Sequence, residues 1–328
     1  MTKSVAIIGA GLIGQAWAIV FARAGWSVRL WDEREETLPK AIETIESLVS
    51  TLETYKLIER TSDVLSRVTA ASSMANAVEH VQYVQENVAE DVSVKRKVFA
   101  QLDSLVDPSV VLASSTSGIP TSAFSEDLPG RARCLVAHPA NPPYLLPVVE
   151  ISGAPWTSPE AIAEAEQLMR TVGQRPIVVQ KEIEGFVLNR LQAAVLREAF
   201  RLVQGGYVDA EGLDTTFREG LGLRWSFMGP FETIDLNAPR GLSDYCGRYG
   251  ELYRRISEKQ ASSEEWPQEL VEQLHAERRA QVRDEDLAAR RLWRDRRLMA
   301  LAAHKKTQDE AENAPMQSGE PYAEQGSR

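Results

Sequence analysis

The amino-acid sequence predicts an α/β fold in which a doubly wound, mostly parallel sheet is followed by an all-helical C-terminal domain. Three observations predict it. The chain has 328 residues, which is more than one typical domain needs. Its first half alternates short apolar runs with amphipathic stretches, and from Gly185 onward the apolar positions follow a helical period.

In the first half, seven short apolar runs are typical of buried strands. Helical patterns fill most of the gaps, which indicates crossover connections and a mostly parallel sheet covered on both faces. One helix has clear ends, because Ser158 is suited to cap it, Pro159 to begin it and Gly173 to end it. The predicted strands are Val5–Ile8, Val28–Trp31, Val81–Gln85, Val110–Ala113, Cys134–Ala137, Val148–Ile151 and Ile177–Val179.

The pattern changes after Lys181, and we place the domain boundary at Glu184. The sequence thus predicts a sheet domain over residues 1–184 and a helical domain over 185–305. Residues 306–328 are polar and have no apolar face, so they predict a disordered tail. The apolar residues that line the first helical faces are Phe186, Leu188, Leu191, Val195, Leu196, Phe200 and Val203.

Composition and charge exclude several classes of protein. The chain is 43% hydrophobic and 26% charged, as ordinary globular proteins are. A net charge of −10 disfavours a nucleic-acid partner, because phosphates would be repelled. No run of about 18 apolar residues occurs, so we expect no membrane partner. Two cysteines, Cys134 and Cys246, provide neither a disulfide framework nor a four-thiolate metal site, and no metal is expected.

The first residues, MTKS, lead directly into an apolar run that is typical of a core strand. A secretory signal would need a basic segment, a longer apolar stretch and a cleavage site, and none fits before that strand. We therefore expect a cytoplasmic protein.

A glycine motif follows the first predicted strand, in VAIIGAGLIG. Gly9 permits a tight turn, Gly11 lets the backbone approach a pyrophosphate, and Gly14 lets the next helix pack closely on the strand. The N-terminus of that helix supplies N–H donors and positive potential for phosphates. The alternative is an ordinary glycine turn, but the strand before the motif and the helix after it favour a Rossmann-type dinucleotide site.

Asp32 ends the second predicted strand, 18 residues beyond Gly14. A carboxylate there accepts hydrogen bonds from an adenosine ribose and repels a 2′-phosphate, so the position predicts NAD rather than NADP. Asp32 could instead be a solvated surface aspartate, and the nearby Arg34 leaves the choice of cofactor open.

Polar side chains suited to catalysis occur on or after three other predicted strands. His138 stands just past the C-terminal end of a central strand, at the edge where open α/β sheets bind ligands. Ser117 follows the neighbouring strand, and Glu150 lies within VVEIS. His138 could be an ordinary loop residue and Glu150 an ordinary strand carboxylate, but a nucleotide-binding fold favours a catalytic set.

The sequence resembles the 3-hydroxyacyl-CoA dehydrogenase superfamily in ASSTSG, AHPANPP, PVVEIS and EGFVLNR, which occur in the expected order. In QKEIEGFVLNRLQ, EGLGLRWSFMGPFET and LAARRLWRD it is most similar to the branch of lambda-crystallin and the L-gulonate 3-dehydrogenases. The resemblance runs from about Val5 to Leu301. Because lambda-crystallin is a lens protein, a structural NAD(H)-binding protein without turnover stays a second hypothesis.

The resemblance implies roles for individual residues. His138 corresponds to the catalytic histidine, Glu150 to the glutamate that orients it, and Ser117 and Asn189 to polar residues around the reacting oxygen. It also implies a homodimer built through the helical domain. The cofactor contacts that it implies are Leu12 and Ile13 in the glycine loop, then Asp32, Glu90, Lys95, Ser117 and Asn141.

Elementary chemistry supports the same set. Oxidising a secondary alcohol needs a hydride acceptor, which nicotinamide provides, and a base for the hydroxyl proton. Histidine is the side chain whose ordinary pKa lies near neutrality, and His138 is the histidine at this sheet edge. Glu150 could stabilise the imidazolium that forms, and Ser117 and Asn189 could donate hydrogen bonds to the oxygen. Asn189 could equally be a polar residue on an exposed helix face.

Two features bear on the substrate. The stretch Glu33–Arg67 has eight acidic and five basic residues, a net charge of −3 that suits CoA phosphates poorly. Arg224 offers a guanidinium that would bind a carboxylate through two hydrogen bonds, although it could instead stack on Trp225 or pair with Glu219. We expect a small 3-hydroxy acid, most closely L-gulonate oxidised to 3-dehydro-L-gulonate. L-Carnitine and 3-hydroxyacyl-CoA are the alternatives.

Overall fold

The structure is a computed structural model that describes residues 3–260 and 266–312. These residues form two compact units. The first consists of the residues up to Leu188 together with those from Arg291 onward, and the second is Asn189–Arg290. The sequence placed its boundary at Glu184 and did not assign a C-terminal segment to the first unit. None of the described helices is both long enough and apolar enough to span a bilayer.

The first unit is built on one eight-stranded sheet. Its strands are β1 (Ser4–Ile8), β2 (Ser27–Trp31), β3 (Val68–Ala70), β4 (Tyr83–Glu86), β5 (Val111–Ser114), β6 (Cys134–Pro139), β7 (Val148–Gly153) and β8 (Arg175–Val179). They lie in the order β3-β2-β1-β4-β5-β6-β7-β8. Every neighbouring pair is parallel except β6 and β7. The predicted mostly parallel, doubly wound sheet is confirmed, with β3 as an additional edge strand.

Helices connect these strands and cover the sheet. The helix after Ser158 has the predicted ends: the Ser158 hydroxyl accepts a hydrogen bond from the Ala161 amide at 3.1 Å, and Gly173 adopts a φ of +80° beyond its last turn. The helices are α1 (Leu12–Arg23), α2 (Leu38–Thr54), α3 (Thr61–Leu65), α4 (Met74–Val78), α5 (Val92–Leu105), α6 (Thr121–Ser125) and α7 (Pro159–Thr171).

Apolar side chains are buried on both faces of the sheet, as parallel strands require. On one face, Trp17, Phe21 and Tyr83 belong to a large cluster that includes β1 and β2 side chains. On the other face, Phe99 and Phe124 pack against each other with ring centroids 4.4 Å apart. The sheet is therefore a rigid platform, and polar side chains at its carboxyl edge have fixed positions.

The described part of the second unit is helical, as the sequence predicts. Its helices are α8 (Leu188–Gln204), α9 (Ala210–Thr215), α10 (Gly222–Trp225), α11 (Pro230–Leu236), α12 (Gly241–Gln260) and α13 (Gln268–Gln281). Phe200 on α8 stacks on Trp266 with ring centroids 4.2 Å apart. Several large apolar side chains are exposed on this unit, among them Leu191, Tyr207, Leu223, Phe227, Phe231 and Leu236.

The last helix of the described residues, α14 (Leu287–Glu312), returns to the first unit. Its Met299 is 1% exposed and belongs to the same core cluster as Tyr144 and Leu145. The prediction of a disordered tail is wrong for residues 306–312, because they continue this helix. Residues 313–328 lie outside the described part of the chain. The segment is polar because it is exposed, but its Lys, Gln, Glu and Ala residues are good helix formers.

Candidate active site

The glycine motif forms the turn between β1 and α1. Gly9 has a φ of +98°, and a Cβ there would lie 2.7 Å from the carbonyl oxygen of Asn87. A Cβ on Gly14 would lie 1.9 Å from the carbonyl oxygen of Gly9, so α1 packs this closely on the turn only with glycine there. Gly11 has open space at its Cβ position, which leaves room for a phosphate group.

The N-terminus of α1 is prepared for an anion. Gly11 precedes the helix and provides no side-chain cap. The first turn of α1 contains no acidic residue. The free N–H groups and the positive end of the helix dipole are therefore available to a phosphate. Leu12 is exposed at this end, and Ile13 packs partly against the core. The loop thus fits the pyrophosphate of a dinucleotide.

Asp32, directly after β2, lies beside this loop. Its Oδ2 accepts a hydrogen bond from the Ala10 amide at 2.8 Å, and its Oδ1 accepts one from the Arg34 amide at 3.0 Å. The Arg34 guanidinium, whose side chain is 72% exposed, lies 3.6 Å from the same carboxylate. The structure thus brings together Asp32 and the glycine loop, which the sequence analysis assigned to the same cofactor.

His138 and Glu150 face each other across the antiparallel pair of strands. They are direct partners in the register of β6 and β7, and Nδ1 of His138 lies 2.8 Å from Oε2 of Glu150. Both side chains are buried. The expectation that His138 lies past the strand end is wrong, because pairing with β7 extends β6 through Pro139.

The second oxygen of Glu150 binds the backbone. Its Oε1 accepts hydrogen bonds from the amides of Val187 at 2.7 Å and Leu188 at 2.9 Å. Burial alone would raise the pKa of Glu150, but the hydrogen bond to His138 and the two amides outweigh it and lower the pKa below its ordinary value. Glu150 is therefore a carboxylate at neutral pH, and both of its oxygens are hydrogen-bonded.

A short left-handed turn before α8 completes the surroundings of His138. Gly185 has a φ of +74° and Phe186 a φ of +48°. Residues other than glycine rarely adopt this backbone conformation. The turn buries Phe186 fully, and its ring centroid lies 5.4 Å from that of His138. The sequence assigned Phe186 to a helical face, but the structure places it before the helix, against the imidazole.

Ser117 lies on the loop after β5, and Glu90 binds this loop. Oε1 of Glu90 accepts hydrogen bonds from the Thr116 hydroxyl at 2.6 Å and from the Ser117 and Gly118 amides at 2.9 and 3.0 Å. Burial would raise the pKa of Glu90, but the Thr116 hydrogen bond, the Lys95 charge and the two amides together lower it. The Ser117 side chain itself stays exposed beside this carboxylate.

Lys95 is turned into the protein. It is 1% exposed, and its Nζ lies 3.1 Å from both oxygens of Glu86, the last residue of β4. In this conformation it offers almost no surface for the direct cofactor contact that the resemblance implies. Sequence reasoning missed Glu86, although a glutamate that follows the apolar residues of a buried strand is a signal, because a buried carboxylate needs a partner.

The remaining predicted residues are divided between the two units. Asn141 is exposed just after β6 in the first unit. Asn189 and Arg224 belong to the second unit, and their part in the site stays a prediction. Within the described residues, the Nε of Arg224 is buried without a hydrogen-bond partner. Glu219, an alternative partner for Arg224, pairs with Arg218 at 2.7 Å.

Comparisons with known proteins identify the family of this chain. Residues 4–183 match the family described as 3-hydroxyacyl-CoA dehydrogenase, NAD binding domain, and residues 185–283 match its C-terminal domain. Lambda-crystallin of Oryctolagus cuniculus is 42% identical over 307 residues, which cover 92% of this chain and 96% of the relative. L-Carnitine dehydrogenase of Streptomyces coelicolor is 37% identical over 239 residues, which cover 73% and 74% of the two chains.

A solved structure is similar over almost the whole chain. It is the 5-formyl-3-hydroxy-2-methylpyridine 4-carboxylic acid 5-dehydrogenase, described as an NAD⁺-dependent dismutase. The TM-score is 0.80 at 27% identity, and the match covers 92% of this chain and 97% of the other. Both the sheet unit and the helical unit therefore follow an architecture that is found in NAD-dependent dehydrogenases.

Proposed function

The chain belongs to the 3-hydroxyacyl-CoA dehydrogenase family, and from that premise we propose that it oxidises the 3-hydroxyl of a small 3-hydroxy acid, most closely L-gulonate, to the 3-keto acid. NAD is the cofactor, because residues 4–183 are the NAD-binding domain of that family. The observation that carries the proposal is the buried pair of His138 and Glu150 at the carboxyl end of β6.

His138 acts as the general base in this proposal. Because Glu150 is ionised, it accepts a hydrogen bond from Nδ1–H, and this leaves Nε2 of the ring to take the proton of the substrate hydroxyl. NAD, when bound, would supply the hydride acceptor for the carbon that bears that hydroxyl. The imidazolium formed at His138 is stabilised by the negative charge of Glu150, and in the reverse direction it returns the proton to the oxygen.

The nucleotide is held by the groups whose geometry fits it. The glycine loop and the N-terminus of α1 would bind the pyrophosphate, and Asp32 would bind the adenosine ribose. Ser117 and Asn189 donate hydrogen bonds to the oxygen of the substrate that gains negative charge.

Charge supports a free carboxylate on the substrate. Arg224 presents a guanidinium whose Nε has no hydrogen-bond partner among the described residues. A carboxylate would accept two hydrogen bonds from such a group. The stretch that forms α2 and α3 bears a net charge of −3 and offers little to the phosphates of CoA.

Two other functions have specific support. L-Carnitine is also a 3-hydroxy acid with a free carboxylate, and the similarity to an L-carnitine dehydrogenase favours it as an alternative substrate. 3-Hydroxyacyl-CoA is the substrate class of the family name. A structural NAD(H)-binding protein, as the similarity to lambda-crystallin suggests, would have no need of a base that a buried carboxylate orients.

The test measures NADH absorbance after the protein is mixed with NAD and a panel of L-gulonate, L-carnitine, 3-hydroxybutyrate and 3-hydroxybutyryl-CoA. We expect the highest kcat/KM for L-gulonate. Faster turnover of the CoA ester would overturn the substrate proposal but not the dehydrogenase class. NADH binding without turnover of any 3-hydroxy compound would favour the structural alternative.

A further inference from the structure

We infer that Glu86 is a positioning residue, which holds the loop of residues 116–118 from inside the sheet and so fixes the Ser117 hydroxyl for catalysis. The inference rests on the proposed function for the role of Ser117. Neither the mechanism above nor the family resemblance assigns any role to Glu86, and its side chain is fully buried, so it has no surface for a substrate.

Glu86 is completely buried at the end of β4 and has donors for both oxygens. Oε1 accepts hydrogen bonds from the Val88 amide at 2.5 Å and from Lys95 at 3.1 Å. Oε2 accepts hydrogen bonds from the Ser114 hydroxyl at 2.6 Å and from the same lysine at 3.1 Å. A carboxylate with this many donors is held in one orientation, and it holds its donors in turn.

One route from Glu86 to the loop runs through β5. Ser114 is the last residue of that strand, and its Oγ, which donates to Glu86, accepts a hydrogen bond from the Thr116 amide at 3.2 Å. The Thr116 hydroxyl then accepts hydrogen bonds from the Ile119 amide at 2.9 Å and from the Gly118 amide at 3.4 Å. The start of the loop is therefore linked to Glu86 through two side chains.

The second route runs through Lys95 and Glu90. The Lys95 ammonium that pairs with Glu86 also lies 3.8 Å from Oε2 of Glu90. The other oxygen of Glu90 accepts the Ser117 and Gly118 amides and the Thr116 hydroxyl. Without Glu86, the buried ammonium would have Glu90 as its nearest carboxylate, and we expect it to draw Glu90 away from the loop.

The energetics favour a positioning role over a purely stabilising one. Taking a carboxylate and an ammonium out of water has a large desolvation cost, and apolar residues of similar size often give equal or greater stability. The pair is 0% and 1% exposed, so it has no surface for a ligand. What it does provide is a fixed geometry, and displacing a reacting group by about 1 Å can lower a rate about a hundredfold.

The first experiment compares amide hydrogen exchange of the wild type and Glu86→Gln in the peptide that contains residues 115–119. We expect exchange of the Ser117 and Gly118 amides to be at least about tenfold faster in the variant. The matched control is Asp103→Asn on α5, which breaks a different buried ion pair, with Arg133 at 2.8 Å. It should lower thermal stability but leave exchange in this loop unchanged.

The second experiment is a double-mutant cycle with Ser117→Ala, read as kcat and KM with the best 3-hydroxy acid. Alone, Glu86→Gln should lower kcat by about ten- to a hundredfold, since the Ser117 hydroxyl is displaced. In the Ser117→Ala background it should lower kcat by less than about threefold, because the group through which it acts is gone. Asp103→Asn should be additive with Ser117→Ala.

The outcomes separate the inference from the proposed function. Unchanged loop exchange in Glu86→Gln, or fully additive losses of kcat, would overturn the inference while the dehydrogenase function stands. If the wild type oxidises no 3-hydroxy acid, the function fails, and hydrogen exchange alone decides whether Glu86 holds the loop. If Glu86→Gln does not fold, Ser114→Ala removes the first route with a smaller change. It should also speed hydrogen exchange in the loop and lower kcat non-additively with Ser117→Ala, but by smaller factors.

Discussion

Nδ1 of His138 lies 2.8 Å from Oε2 of Glu150, and the two residues are direct neighbours across antiparallel strands. Because facing residues in such a pair extend to the same side of the sheet, the contact follows from strand register and needs no flexible loop. The second Glu150 oxygen is bound by two backbone amides, so the carboxylate cannot turn away. This rigidity is what an orienting group for a base requires.

Replacing the base should stop chemistry and preserve cofactor binding. His138→Ala leaves the glycine loop and Asp32 intact, so its affinity for NADH, measured by fluorescence titration, should stay within about twofold of the wild type. Turnover should fall by about 10²–10⁴-fold, the usual contribution of general acid–base catalysis. A variant with near-normal turnover would show that another group takes the proton.

Glu150→Gln should slow turnover and alter the pH dependence of stability. The pKa of Glu150 is lowered in the folded protein, so its stabilising effect is present above the ordinary glutamate pKa of about 4.3 and is lost as the pH falls through the lowered value. The Tm of the wild type should exceed that of the variant at pH 7, and the difference should shrink below about pH 4. An equal difference at both pH values would contradict this assignment.

Asp32 should determine the choice between NAD and NADP. The wild type should prefer NAD, because the carboxylate beside the glycine loop repels a 2′-phosphate. Asp32→Ala should reduce that preference, because it weakens the binding of NAD and removes the repulsion of the 2′-phosphate of NADP. Comparing kcat/KM for the two cofactors checks this prediction. Arg34→Ala serves as the control. It removes the exposed cation that pairs with Asp32 but leaves the Asp32 carboxylate in place, so NAD should stay preferred. A wild type that uses both cofactors equally would refute the assignment.

Arg224 should select substrates with a free carboxylate. A hydrogen bond to a charged group contributes about 1.5–3 kcal/mol, so Arg224→Met should raise the KM for L-gulonate by about ten- to a hundredfold. Arg224→Lys should recover part of the loss, because an ammonium cannot make the planar two-point contact. NAD affinity should barely change. Arg218→Met is the matched control, because that arginine is already paired with Glu219; an equal rise in KM there would argue against a specific role.

The protein should form a homodimer through its helical unit. Residues 223–236 expose several large apolar side chains, including Phe231 at 76%, more than a monomer usually leaves in water. Light scattering at micromolar concentration should give twice the chain mass, and Phe231→Glu should shift it toward the monomer. Leu105→Glu, at an apolar site on the first unit that is 48% exposed, should leave the dimer intact. A monomeric wild type would end the proposal.

Local patterns in the sequence were enough to predict most of the fold, and together with the family resemblance they gave the candidate site residues, whose roles stay predictions. The glycine motif, the predicted strands and the start of α7 depend on neighbouring residues, so they could be found without tertiary contacts. β3 was missed because it has three residues, VTA, at the sheet edge, too short for an alternating pattern.

The contacts within the site required the structure. That His138 faces Glu150 depends on the register of two strands, which no spacing of 12 residues specifies. The turn at Phe186 was missed because a positive φ is rare for a residue other than glycine and the spacing of Phe186 fits the helix that follows. The sequence analysis assigned Lys95 to the cofactor because the sequence does not show that Glu86 binds its ammonium inside the protein.

The return of α14 to the first unit has a consequence for how the chain is made. Met299 fills a place in a core whose other buried members, such as Tyr144 and Leu145, lie between Val5 and Val172. On the ribosome, the nucleotide-binding unit therefore emerges with a gap in its hydrophobic interior, which is filled only when the last helix has been synthesised. The helical unit, encoded in between, must emerge first. Completion of this core is thus tied to synthesis of the chain through residue 299, and a nascent chain that stops before it lacks the Met299 side chain that belongs there.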